Sequence, residues 1–194
     1  MKNIAIIFIV ITATFVSCKS SKYEPPQSSG KMTVTTMKKD VELAIGGYGE
    51  AFIDWGDMWA PTRINCRTIV TTSSHSFLTQ IPHIINIYGD GVTELICSGN
   101  SITSIEVNEN PWLEILACSD NDLYSINVSN NTSLNYLACN NNHLTATALN
   151  AIFGNLNSTP YHGNRPKMIN IANNPGEHTC NKSIAEQKGW VFFY

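Results

Sequence analysis

The apolar positions of the chain recur with two nested periods. Leu95, Leu116 and Leu137 lie 21 residues apart, and the same shift superposes Cys97, Cys118 and Cys139; Asn100, Asn121 and Asn142; and Ile102, Leu123 and Leu144. Inside each copy a shorter spacing repeats. Val92-x-x-Leu95-x-Cys97-x-x-Asn100 is followed by Ile102-x-x-Ile105-x-Val107-x-x-Asn110, and Leu113-x-x-Leu116-x-Cys118-x-x-Asn121 by Leu123-x-x-Ile126-x-Val128-x-x-Asn131. A third copy runs from Leu134 through Leu137, Cys139 and Asn142, with Leu144 and Leu149 closing a weaker half. Apolar residues two apart point the same way from an extended strand. An Asn three positions later can bond the backbone of the following corner with its side-chain amide. The pattern therefore predicts stacked units with two extended sides each. Cys97, Cys118 and Cys139 should face inward, and Asn100, Asn121 and Asn142 should form a buried ladder.

A fixed period of this length is the signature of a repeat architecture. With Cys at the consensus Leu and Asn at the turn, residues 85–149 resemble the leucine-rich repeats of Bacteroides-type lipoproteins. The resemblance implies a mainly β fold with short helices: a straight leucine-rich repeat solenoid of about three coils. A β-rich cap at its N-terminal end and an α/β cap at its C-terminal end should cover the apolar ends.

The flanks carry element signals of their own. Met32 to Thr36, Val41 to Ile45 and Ala51 to Trp55 alternate or cluster like strands, with Gly46, Gly47 and Gly56 marking turns. Phe52-Ile53-Asp54-Trp55-Gly56-Asp57, followed by His75-Ser76-Phe77, resembles the Asp-Trp-Gly-Asp-Gly and His-x-Tyr signatures of PKD-like β-sandwich domains, with Met58 where that motif has Gly. Residues 31–84 are accordingly expected to be a PKD-like, β-rich N-terminal cap. On the other side, Leu149, Ile152, Phe153 and Leu156 have helical spacing over Ala146 to Asn155. Met168 to Ala172 repeats the strand pattern, Asn174-Pro175-Gly176 takes a corner, Ser183 to Lys188 reads as a short helix ended by Gly189, and Trp190 to Tyr194 as a last strand. Residues 150–194 thus form the expected C-terminal cap, and the chain is expected to be complete.

The N-terminus reads as an address. Lys2 precedes an apolar run from Ile4 to Val16, too short to cross a bilayer. Phe15-Val16-Ser17-Cys18 resembles the lipobox of bacterial lipoproteins, with Phe and Val where Leu and Ala are commoner. The resemblance implies that residues 1–17 are a signal peptide, that Cys18 is acylated, and that the protein is anchored by lipid in the outer membrane, on its surface or periplasmic face. Residues 18–30, rich in Ser and Lys with Pro25 and Pro26, then read as a flexible tether.

Composition narrows the function. The 194 residues are 43% hydrophobic and 14% charged, with 12 Lys plus Arg against 15 Asp plus Glu. That balance argues against nucleic acid and against membrane contact other than through the lipid anchor, since both ask for a basic footprint. Between Arg67 and Arg165 there is no Lys or Arg, while Asp90, Glu94, Glu106, Glu109, Glu114, Asp120 and Asp122 all lie there. This favours a basic or neutral protein partner, or it merely keeps an exported protein soluble. No hydrolase, zinc-protease or phosphate-loop motif occurs. Asp54, Asp57 and His75 could be drawn as a metal or acid-base group, but such Asp side chains more simply accept backbone N–H groups within their own loop. No enzyme, no metal and no cofactor are expected, and the protein should be a monomer. Cys66 and Cys180 lie at opposite ends of the repeat and should not pair.

The repeat phase also assigns an outward face. Ile96, Ile115, Ala117, Tyr136, Ala138 and Asn140, with Trp112 near a corner, make an apolar and aromatic group of the kind that marks an interface. It is either free for a partner or covered by one of the protein's own flanking segments. The expected function is a non-enzymatic, membrane-tethered leucine-rich repeat module mediating protein–protein interaction at the bacterial cell envelope. The alternative is a carbohydrate-binding surface lipoprotein, with Trp112 or Tyr124 stacking on a sugar ring.

Overall fold

A computed structural model describes residues 30–57, 59–67, 70–160 and 166–194. The leader, Cys18, most of the tether and Met58 lie outside the described residues. The antiparallel part of the chain comprises β1 (Lys31–Thr36), β2 (Asp40–Asp54), β3 (Thr62–Arg67), β4 (Thr71–Ser76) and β5 (His83–Tyr88). The repeat then supplies β6 (Val92–Ile96), β7 (Ile102–Glu106), β8 (Ile115–Ala117) and β9 (Tyr136–Ala138). It is followed by α1 (Ala146–Asn155), β10 (Lys167–Asn170), α2 (Ser183–Glu186) and β11 (Trp190–Phe192).

The expectation of a repeat solenoid closed by separate caps is overturned. The strands form one mixed sheet of 11, in the order β11-β10-β9-β8-β6-β2-β5-β1-β7, with β3 and β4 also paired to β2, and only two short helices accompany it. The fold is mainly β, as expected, but it is not built as coils between lids. The physical reason lies in β2, which is 15 residues long and serves both parts. Its first half pairs antiparallel with β4 and β6, and its second half with β3 and β5. The changeover comes at Gly46-Gly47, where the register with β6 shifts. Gly47 has φ of 143° and a Cβ there would stand 2.1 Å from the Gly91 carbonyl oxygen, so only glycine lets the two backbones approach this closely.

The first repeat unit is thus extended on both sides by the chain before it, β6 by β2 and β7 by β1. Residues Ile85 to Tyr88, placed at the start of the repeat by their sequence, belong to β5 and pair with β1. Two extended sides exist only in this first unit. In the second, the Val side contributes a single bridge between Glu106 and Asn127, and in the third its place is taken by α1.

From β6 onward the ladder is parallel through β8, β9, β10 and β11. Leu95, Leu116, Leu137 and Ile169 sit opposite one another in register, each fully buried. Cys97, Cys118 and Cys139 are likewise buried beside them. Helix α1 starts at Thr145, whose hydroxyl accepts from the Ala148 N–H, and it turns Leu149, Ile152 and Phe153 onto the same core.

Candidate interaction face

The ladder corners explain why Asn recurs. The Asn121 Oδ1 accepts from the N–H groups of Asn100 and Ile102 at 3.0 and 2.9 Å, while its Nδ2 donates to the Cys97 and Cys118 carbonyls at 3.1 Å each. Asn142 repeats this toward Leu123, Cys118 and Cys139. Asn174 repeats it toward Leu144, Cys139 and Ile171. Asn100 has no earlier unit to bond, and β2 stands in: its amide accepts from the Glu42 N–H and donates to the Glu42 carbonyl. Each buried amide therefore ties one corner to the next and leaves the corner backbone satisfied.

A second ladder runs just outside this one. Gly99, Asp120, Asn141 and Asn173 all have φ between 53° and 71°, a conformation that Gly, Asn and Asp adopt most cheaply. The Asn141 amide donates to the Asp120 carboxylate, and the Asn173 amide to the Asn141 Oδ1, both at 2.7 Å. Sequence reading missed this row, although its Gly/Asp/Asn/Asn composition was the available signal.

Between these corners the Cys-side strands present two outward rows of side chains. Glu94, Ile115, Tyr136, Met168 and Val191 stand opposite one another across β6, β8, β9, β10 and β11. Ile96, Ala117, Ala138 and Asn170 form the parallel row beside it. Ile96, Ile115, Ala117 and Tyr136 are half-buried, and Ala138 is reduced to 7% exposure by its neighbours. Asn140 lies at the margin, where its side-chain oxygen accepts from the Ser119 hydroxyl at 2.6 Å. Tyr136 is partly covered by Phe193, with ring centroids 5.3 Å apart. The C-terminal strand and the residue after it thus add Val191 and Phe193 to the face, which the repeat phase alone did not include.

Trp112 is not part of this row. Its ring is 65% exposed and stands at the preceding corner, beside Gly30, Asp90, Glu109 and Asn110. One unit further along the same edge lies a cleft of about 170 Å³ lined by Glu114, Thr132, Ser133, Asn135, Asn157 and Lys167. Lys167 is itself buried, donating to the Asn157 and Thr159 carbonyls at 2.9 and 3.0 Å and lying over the Trp190 ring. Burial, and then the neighbouring Lys188 charge, lower its ammonium pKa below the usual lysine range. With its donors engaged, Lys167 fastens the 156–160 segment to β10.

The remaining candidate chemistry is structural. Burial pushes the Cys97 thiol up to about 12 and raises Cys118 and Cys139 well above the ordinary thiol value. Such thiols carry almost no thiolate and do not react. Cys66 and Cys180 are free thiols as well. The Asp54 carboxylate accepts from the Gly56 N–H and Asp57 from the Trp59 N–H, each at 3.0 Å, as loop braces. His75 contacts Asp57 at 2.6 Å, and among the described residues no group of three or more His, Cys, Asp or Glu gathers that could hold a metal ion. Compared with protein-family models, curated proteins and solved structures, the chain matches none.

Proposed function

We propose that this protein is a lipid-anchored, non-enzymatic module of the bacterial envelope that binds a protein partner through the Cys-side face. The observation that carries this reading is the pair of adjacent outward rows, Ile115 and Tyr136 in one and Ile96 and Ala117 in the other, each half-buried, with Glu94, Ser98 and Asn140 beside them. An apolar centre with a polar, acidic rim has the make-up of a recognition patch. The resemblance of the 21-residue repeat to those of leucine-rich lipoproteins, and of Phe15 to Cys18 to a lipobox, supports the setting. The absence of Lys and Arg from residues 68–164 favours a basic or neutral partner surface.

The test is capture of envelope proteins by the mature chain, beside a variant carrying Ile96→Lys, Ile115→Lys and Tyr136→Lys. Circular dichroism first establishes that both fold alike. A protein retained by the wild type and lost by the variant supports the reading, and equal retention by both sinks it.

The carbohydrate reading is favoured by one separate observation, the exposed Trp112 ring, which lines a small surface cleft with Asp90, Glu109 and Asn110. An indole face stacks on a sugar ring while the Asp90 and Glu109 carboxylates in the same cleft accept from its hydroxyls. A saturable shift in tryptophan fluorescence with envelope glycans, abolished by Trp112→Ala, would move this reading ahead of the first.

A further inference from the structure

The two kinds of corner in the repeat use their buried Asn differently. On the Cys side, the Asn121 Oδ1 accepts from two N–H groups of the unit before it. On the Val side, the chain uses its N–H groups within the turn itself: the Asn110 N–H donates to the Val107 carbonyl at 3.0 Å, and the Asn131 N–H to the Val128 carbonyl at 3.1 Å. The amide oxygens are left over. Three buried side-chain oxygens have no hydrogen-bond partner among the described residues, the Oδ1 atoms of Asn108, Asn110 and Asn131, and all three belong to Val-side corners. A carbonyl oxygen withdrawn from water in this way calls for an electropositive partner.

Of the three, Asn110 borders a cleft. It is 3% exposed and forms the floor of a hollow of about 60 Å³, walled by the Asp90 and Glu109 carboxylates and the Trp112 ring. That volume has room for an ion and its waters. At the rim the backbone closes in: a Cβ on Gly30 would stand 2.8 Å from the Gly89 carbonyl oxygen and 3.0 Å from the Asn110 Nδ2. The Gly30 N–H donates to Asp90 Oδ1 at 3.0 Å. This bond positions the carboxylate without exhausting it, because a carboxylate has about four acceptor sites. Asp90 and Glu109 are the only charged residues lining the cleft. The adjoining Lys31 holds its ammonium over the Tyr88 ring, 6.0 Å from the centroid. Lys19 and Lys22 lie outside the described residues, and residues 68–164 contain no Lys or Arg.

We propose that this cleft is a divalent-cation site that takes Ca²⁺, held by the Asp90 and Glu109 carboxylates with the Asn110 Oδ1 as an uncharged third ligand and water completing the shell. The donors are all oxygens, which suits a hard cation and not zinc or copper, whose sites draw on imidazole and thiolate. Two carboxylates, one amide carbonyl and water form an irregular set. Ca²⁺ accepts such a set, whereas Mg²⁺ demands a near-ideal octahedron. The expectation of no metal rested on clustered carboxylates and histidines, and here the third ligand is an amide. The ion ties the turn before β6, which carries Asp90, to the corner after β7, which carries Glu109 and Asn110. The proposal rests on neither binding reading above, since the ion is tested with no protein partner and no glycan present.

The experiment uses the mature chain, residues 18–194, with Cys18→Ser so that no lipid contributes, after treatment with a chelator. Tb³⁺ serves as the probe, because a neighbouring indole excites its luminescence and Trp112 stands in the cleft. A saturable signal is expected, displaced by Ca²⁺ with a Kd of about 0.1 to 1 mM and by Mg²⁺ at least about tenfold less well. Glu109→Gln, which alters an exposed side chain, should weaken Ca²⁺ at least about tenfold. Ca²⁺ should raise the urea midpoint of the wild type and of Trp112→Phe alike, and leave that of Glu109→Gln unmoved. Trp112→Phe should also dim the luminescence. Asp57→Asn, in the loop that carries Trp59, should change none of these readouts. The proposal is overturned by the absence of a saturable signal, or by equal displacement with Mg²⁺, which marks a diffuse attraction of cations. Unchanged Ca²⁺ affinity in Glu109→Gln overturns it as well, and so does loss of the signal in Asp57→Asn.

Discussion

The antiparallel region and the parallel ladder share one sheet and one core but are held together by different means. In the antiparallel part, β2 runs for 15 residues and β1, β3, β4 and β5 for six each, so backbone pairing alone supplies long rows of hydrogen bonds. In the ladder, β8 and β9 are three residues long. Strands that short offer little pairing, and the deficit is met by side chains: each buried Asn amide bonds the backbone of two successive units. Where backbone pairing is long, side chains are free to vary; where it is short, one amide per unit becomes indispensable.

The largest effect should come from removing such an amide. Asn121→Leu strands the buried Asn100 and Ile102 N–H groups and takes one of two amide donors from each of the Cys97 and Cys118 carbonyls, and is expected to cost about 3 to 4 kcal/mol in urea unfolding. Next in size, Leu137→Ala in the ladder and Ile87→Ala in β5, both fully buried, should each cost about 3 kcal/mol. They should do so in a single shared transition, because β2 joins both regions. Two separate transitions would show that the ladder folds independently of the antiparallel part.

Alkaline pH should weaken the whole fold, chiefly through the buried thiols of the ladder. The Cys97 thiol is raised from 9.0 to about 12 in the folded chain. The unfolded chain therefore releases a proton that the folded chain keeps. Stability is intact below about pH 9 and falls as the pH rises toward 12, by about 1.4 kcal/mol per pH unit for this thiol. Cys118 and Cys139 act in the same direction. A Cys97→Ala variant should show a shallower loss in urea midpoints measured between pH 9 and 11. The smallest effect belongs to the antiparallel region: Thr33→Val removes only a half-buried bond to Asn86, and should change stability by no more than about 0.5 kcal/mol.

Much of the ladder was legible because its residues repeat. The inward Cys positions, the Asn corners and the bounds of α1 follow from periods of two, 21 and 3.6, while the last strand starts at Trp190 as expected but ends at Phe192, short of Tyr194. The solenoid between caps was misread, and for a physical reason. Period describes how units stack on one another, but it carries no information on what pairs with the end of the stack, and here β1 and β2 continue the sheet where a lid was expected. Trp112 stands at a corner, as its place in the repeat suggests, but apart from the two outward rows, because the strand alternation that sorts inward from outward no longer holds there. Phe193 joined the face unannounced, since its partner Tyr136 is distant in sequence and no spacing links them.

The Asn corners have a further consequence for how such a protein can change length. Between Asn121 and Asn142 the step is 21 residues, and between Asn142 and Asn174 it is 32, yet the amide bonds are the same at both steps. What is conserved from unit to unit is the corner, and the excursion between corners is free to swell, here to accommodate α1. A gene that gained or lost one whole copy would move the C-terminal end by a single strand spacing, about 4.8 Å. Every amide would still find a donor and two carbonyls waiting. The chain thus has the properties of a ruler whose divisions can be added without recalibrating the rest.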